Sequence, residues 1–272
     1  MKFNLFICLF FTLNISLCFS QESKFYDENS KEIESLEFYK KCNRLAYKCL
    51  RQSTDTLDIY KVTLKYDFGK IEPEEYEQVY KLLIKDTTKS NQIIIVKYID
   101  KLYSFETQKK LHDSHVRLPD SVQDLLKNRY RTSQFKLTET SHNKTIKKSI
   151  KKSKKCKKKF EKKHPVNINY MYNLDQNLAE KYKDIDLIQN KGILKLKFLT
   201  NVSQFNLLIL KPNGEYLLSG GHLSDKSIKE LITNDDWSIY KNDLQTTIDK
   251  YIINGFGIFE KHNVYYHKDH CF

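Results

Sequence analysis

Chain breakers are scarce in this sequence. Four prolines and seven glycines in 272 residues exclude a collagen-like repeat and a Pro/Gly-rich disordered chain. Beyond the first twenty residues, no apolar run approaches the ~20 residues that a bilayer-crossing helix needs. Chemistry-bearing motifs are absent too. There is no glycine-rich phosphate loop, no serine or cysteine nucleophile motif and no paired-carboxylate arrangement above chance spacing. No two cysteines stand in a Cys-x-x-Cys pair, so the commonest dithiol redox motif is missing. Acidic residues are few relative to basic ones, 34 Asp and Glu against 47 Lys and Arg, leaving a net charge of +13.

What is present begins with a leader. Lys2 is its positive end, residues 3–11 its apolar core, and Cys18-Phe19-Ser20 places small residues where a signal peptidase reads. The pattern predicts a signal peptide over residues 1–20, cleaved before Gln21. Asn14 and Ser16 interrupt the run, against an uncleaved anchor, and Leu17 before Cys18 argues against a lipoprotein. The expected location is therefore secreted or periplasmic. Four cysteines survive cleavage, Cys42, Cys49, Cys156 and Cys271, and in an oxidising compartment they allow three pairings. A helix over 31–51 puts Cys42 and Cys49 on one face with Leu45, Ala46 and Leu50. At helical rise they lie roughly 10 Å apart along the axis, beyond disulfide reach. Read this way they do not pair, and buried free thiols are the expectation.

Hydrophobic content of 40%, with 13% aromatic, suffices for a real core in the roughly 250 residues left, one large domain or a small one with extensions. Residues 57–68 read as a strand. Pro73 with Glu74 and Glu75 opens a helix, and residues 92–100, QIIIVKYID, form the strongest strand pattern. A helix is predicted after Pro119, strands over 166–172 and 193–199, and helices over 176–183 and 237–253. A terminal hairpin is expected over 255–267. The stretch 205–232 is the most informative. An apolar strand runs into Lys211-Pro212-Asn213-Gly214, a turn with Pro at its second position and a Gly able to take positive φ. A partner strand over 215–219 follows. Then come Gly220-Gly221 and a helix capped by Ser224, with Leu223 and Ile228 at staple positions.

Between 144 and 163 stand twelve lysines and one glutamate, a net of +11, so the rest of the chain is nearly neutral. Ile146, Ile150 and Phe160 recur at near-helical spacing, which predicts a cationic amphipathic helix able to lie on an anionic surface. The candidate contacts are Lys147, Lys148, Lys151, Lys152, Lys154, Lys155, Lys157, Lys158 and Lys159. Lysine rather than arginine favours diffuse attraction over bidentate phosphate recognition. A solvated loop is the competing reading of the same run. No nucleic-acid motif accompanies it. At the tail, His262, His267, His270 and Cys271 are zinc or copper ligand types without a template spacing, and His112 and His115 share a predicted helix. Asn143 and Asn201 head sequons. No cofactor is indicated.

The element order resembles the thioredoxin-like superfamily. A helix over 73–85 feeds the 93–100 strand, a crossover leads to a parallel strand at 166–172, and the "FNLLILKPNGEYLLSGGHLSDKSIKELI" hairpin and helix close the unit. The resemblance implies an α/β fold with a central mixed sheet and flanking helices over 57–235. To it are added a helical extension over 21–56, the lysine-rich insertion 144–163, and a C-terminal helix and hairpin over 236–272. It also implies a Cys-x-x-Cys after the first central strand and a cis-proline before the hairpin. Here Lys101-Leu102-Tyr103-Ser104-Phe105 and Ser203-Gln204 stand there instead. The expected function is a non-catalytic binding or structural module; the alternative is a divergent thiol–disulfide redox protein using Cys156 or Cys271.

Overall fold

The computed structural model describes residues 22–54, 56–84, 92–115, 137–182, 192–198, 204–260 and 271–272. In chain order the elements are β1 (Glu22–Tyr26), α1 (Ser35–Cys42), β2 (Tyr47–Ser53), β3 (Leu57–Leu64), β4 (Tyr66–Lys70) and α2 (Pro73–Leu83). Then follow β5 (Ile93–Leu102), α3 (Phe105–His115), α4 (Glu139–Glu161), β6 (Val166–Leu174), α5 (Gln176–Lys181) and α6 (Gly192–Phe198). Last come β7 (Leu207–Leu210), β8 (Glu215–Ser219), α7 (Asp225–Thr233), α8 (Ser238–Asp249) and a 3-10 turn at Gly257–Phe259. The predicted leader and the Pro119 helix lie outside the described residues, as do His262, His267, His270 and Asn201.

The larger sheet is mixed, in the order β4-β8-β7-β5-β6. β5 and β6 run parallel, Ile95 opposite Ile168, while β7 is antiparallel to both β5 and β8. Both faces are covered, so the central strands are largely apolar, with Lys97 of β5 an exception. Alternation along each strand divides the core in two. Ile95, Ile168, Tyr172, Leu207, Ile209 and Leu217 pack with residues of α4, α7 and α8. Ile94, Val96, Tyr98, Met171, Leu208 and Leu210 face the opposite way, with Tyr76 and Val79 of α2 and Leu194 and Phe198 of α6.

The hairpin closes as its residues require. Gly214 has φ +84°, donates to the Lys211 carbonyl at 3.0 Å and accepts from Ile71 N–H. Ser224 caps α7 by accepting from Ser227 N–H at 3.0 Å. Gly220 is there for a close approach, because a Cβ would collide with the Gln204 carbonyl. Its N–H donates to Lys65 O at 2.6 Å.

Several expectations are corrected. Residues 57–68 are two strands in two sheets, parting at Lys65, whose N–H bonds Ala46 O while its carbonyl takes Gly220 N–H. The helix expected over 31–51 stops at Cys42. After a turn at Asn43–Ala46 the chain becomes β2, pairing antiparallel with β3 in the smaller β1-β3-β2 sheet. Cross-strand pairing and burial of Ala46, Tyr47 and Val62 outweigh local helical spacing. Cys42 and Cys49 are then joined in a disulfide, with Cα atoms 5.6 Å apart. The extension over 21–56 therefore contributes one helix and two strands, β1 and β2, which both pair with β3. The segment expected as a strand over 193–199 is α6: its alternation is overridden by the i, i+4 pair Leu194 and Phe198, both buried. Residues 257–259 form a 3-10 turn, so the expected terminal hairpin does not begin there, and its remainder lies outside the described residues.

Candidate functional site

A helix with this many like charges is not stabilised by its own surface. Lysines three and four positions apart repel by roughly 0.2–0.5 kcal/mol per pair. α4 is held instead by one stripe, His142, Ile146, Ile150, Ser153, Cys156 and Phe160, all buried, with Ile146, Ile150, Cys156 and Phe160 in the core beside β6. Thr138 caps its start in a reciprocal box with Ser141. The lysine run is thus the outer side of the connection between β5 and β6. Its apolar stripe is inside the protein and is not offered to a bilayer. Its opposite side is cationic: Lys147, Lys148, Lys151, Lys152, Lys154, Lys155, Lys158 and Lys159 are all exposed. Lys157 departs from that face, pairing with Glu161 at 3.2 Å and donating to the Ile168 carbonyl. Asn143 is half-buried on the same helix, between Glu139 and Lys181.

Beneath the middle of α4 lies a cavity of about 450 Å³. Ser149, Lys152 and Ser153 of α4 line one side, and Lys97 and Ile99 of β5 with Tyr170 of β6 line the sheet side. His222, before α7, and Phe272 complete it, together with the Cys156–Cys271 disulfide. The disulfide spans 115 positions with Cα atoms 5.5 Å apart. Cys271 N–H donates to Asp225 Oδ1 at 2.9 Å, and the Tyr170 hydroxyl donates to Cys271 O at 3.2 Å. Phe272 packs edge-on to Phe160 at 5.0 Å and parallel to Tyr170 at 6.4 Å. Burial raises the Tyr170 phenol well above its ordinary range.

Lys97 is the unusual member. Its Nζ donates to Asn206 Oδ1 at 3.0 Å, and burial pulls its pKa from 10.5 down to about 8. Lys211, which is more deeply buried, is surrounded by partners. It donates to the carbonyls of Asn234 and Asp235, lies 3.8 Å from Glu215, and sits over the Trp237 ring at 4.2 Å. Among the described residues Lys97 has no carboxylate within ion-pair distance. It was missed in the sequence. The available signal was a lysine inside the otherwise apolar IIIVKYI of a central strand.

Of the tail ligand set, His262, His267 and His270 lie outside the described residues and only Cys271 is placed. Cys271 is oxidised to a disulfide, so it offers no thiolate to a metal, and no group of three or more metal-ligating side chains occurs among the described residues. At the start of α3, Ser104 N–H donates to Asp175 Oδ2 at 2.7 Å, and Ser104 Oγ meets Thr107 Oγ1 at 3.1 Å. Burial raises the Asp175 carboxyl, but hydrogen bonds from Ser104 and Thr107 outweigh it and hold the group below its ordinary range. His142 meets the Tyr103 carbonyl through Nε2 at 2.9 Å. Serine, histidine and aspartate are neighbours here, yet these bonds use them to fasten α4 and β6 to the end of β5, not as a nucleophile and its base. His112 and His115 close α3, and their side chains lie outside the described residues. Gln204 donates through Nε2 to Leu64 O at 3.0 Å.

No helix among the described residues is long and apolar enough to cross a membrane, and the two disulfides fit an oxidising, extracellular-type environment. No protein-family model, curated protein or solved structure matches this chain.

Proposed function

We propose that this chain is an exported, thioredoxin-like binding module without a dithiol centre, docking on polyanionic surfaces through the outer face of α4. The fold assignment is supported by the strand order β6-β5-β7-β8, by the parallel β5–β6 pair, and by helices on both faces of the sheet. Export is supported by the leader pattern and by two disulfides, which persist in oxidising compartments.

The observation that carries docking is the division of α4 into a buried apolar stripe and an exposed lysine face. With the stripe buried, attraction is electrostatic alone. It falls off over a Debye length of about 8 Å at physiological ionic strength and contributes roughly 1 kcal/mol per lysine near an anionic membrane. The test is binding of the mature protein to anionic vesicles and to a sulfated glycan as salt rises. Replacing Lys147, Lys148, Lys151 and Lys155 by Gln should weaken binding by about 4 kcal/mol on that scale, with an unchanged melting temperature. Equal binding by variant and wild type would sink the reading.

One observation favours a second reading, redox exchange: Cys156 and Cys271 are paired, and their disulfide lines a cavity beside Lys97 and His222. Reduction of insulin above background, lost in Cys271→Ser, would establish it.

A further inference from the structure

Lys97 is half-buried, and among the described residues its ammonium has one partner, a neutral one, which leaves hydrogen-bonding capacity unused and its charge unpaired. Lysine has three donors, and Lys97 uses one of them on Asn206 Oδ1. Burial of an unpaired charge is costly. Lys211, by contrast, is surrounded by two carbonyls, a carboxylate and an indole. Lys97 instead borders open space that Lys152 and His222 also border. Among the described residues no carboxylate is part of that lining. Asp225 accepts from the N–H of Cys271, a residue of that lining.

The rest of the lining is two serines of α4, Ser149 and Ser153, and a largely apolar wall. Tyr170 and Phe272 lie nearly parallel, 11° between their planes, and Ile99 and the disulfide continue the surface. A volume of about 450 Å³ lies within the range of small-molecule sites, ~300–1,000 Å³. The Phe160 contact and the hydrogen bonds to Cys271 fix the wall from behind.

We propose that this cavity binds a small organic oxyanion, a phosphate or sulfate monoester on an aromatic body, with Lys97, Lys152 and His222 around the anion and Tyr170 and Phe272 against the ring. The anion supplies the counter-charge that Lys97 lacks. Lysines serve here as point charges for a tetrahedral head, and the aromatic wall favours a flat body over a bare ion. The site shares Lys152 with the docking face, whereas Lys147, Lys148, Lys151 and Lys155 do not line it.

The test is calorimetric titration of the mature, disulfide-bonded protein with phenyl phosphate, phenyl sulfate, inorganic phosphate and phenol. Saturable binding of one or both esters is expected, stronger than that of the bare ion or the neutral ring. Lys97→Met should raise the dissociation constant by about tenfold or more, the loss of one well-placed charge. Lys152→Gln should raise it severalfold, and Lys147→Gln/Lys148→Gln should leave it within about twofold, as their charges are screened at that range. Lys152 is exposed, so that variant keeps the test alive if Lys97→Met does not fold. Magnetisation transfer between the bound phenyl ring and Phe272 would place the ligand. Three results would each overturn the proposal: no saturable ester binding at millimolar concentration, phenol binding as well as the esters, or ester binding undiminished in both lysine variants. A protein that fails to dock on polyanions but still binds phenyl phosphate would refute the docking reading and leave this one standing.

Discussion

Removing the two disulfides one at a time should destabilise the protein by clearly unequal amounts, in the order of their loop lengths. Cross-linking lowers the entropy of the unfolded chain by an amount that grows with the logarithm of the enclosed loop. The Cys156–Cys271 bridge encloses 115 positions and the Cys42–Cys49 bridge only 7. On the loop-entropy relation these separations correspond to about 5 and about 2 kcal/mol. For a chain of this size, each kcal/mol moves the melting temperature by roughly 2–4 °C. Cys156→Ala/Cys271→Ala should therefore melt about 10–20 °C lower, and Cys42→Ala/Cys49→Ala about 4–8 °C lower, on the same scaling. The long bridge also fixes the position of Phe272, which is buried against Phe160 and Tyr170, so its loss should loosen the cavity wall as well. The chain contains one tryptophan. Trp237 is 1% exposed and donates to Leu231 O at 2.8 Å, so its fluorescence reports unfolding without a label. Urea and thermal transitions of the two double variants, followed at Trp237, decide the matter. If the short bridge costs as much as the long one, loop entropy is not the governing term and the argument is refuted.

Two further perturbations test the core and the cavity. The Tyr98 hydroxyl is buried without a hydrogen-bond partner among the described residues, and leaving such a group unpaired costs about 1–3 kcal/mol; Tyr98→Phe should raise the urea midpoint, and a lower one would show that the hydroxyl contributes stability. Lys97 has a folded pKa of about 8 against 10.5 when exposed, so between those values the unfolded chain binds more protons and stability from this group rises with pH. Lys97→Met should be more stable than wild type at pH 7, on the order of 3 kcal/mol at about 1.4 kcal/mol per tenfold change in proton affinity. The advantage should shrink through pH 8–10.5, and a difference that is flat across that range would refute the assignment. A stabilising variant that loses ester binding is the trade-off expected where a site is kept at the expense of stability.

Where a signal was local, the sequence by itself determined the element. QIIIVKYID is strand β5 because its β-branched run suits a sheet covered on both faces. Lys211-Pro212-Asn213-Gly214 is a turn because only residues of that kind take its dihedrals. α7 begins where Ser224 satisfies the Ser227 N–H. The parallel pairing of 93–100 with 166–172 and the antiparallel hairpin were legible for the same reason, as strand and crossover patterns leave few alternatives.

Tertiary structure alone decided the rest. Residues 47–53 carry helical spacing yet pair with β3, because the backbone bonds and burial available in the small sheet exceed a weak local preference. Residues 192–198 alternate like a strand yet form a helix, because Leu194 and Phe198 fill one face of the sheet from a single turn. The apolar stripe of α4 was visible, but whether it faced a partner or the core depended on β6 lying beneath it. The candidate cavity was least legible of all. Lys97, Tyr170, His222 and Phe272 are scattered through the chain and meet only because sheet order, the α4 crossover and a disulfide spanning 115 positions bring them to one place. Local sequence carries dihedral preference and periodicity; proximity between distant residues is a property of the folded chain.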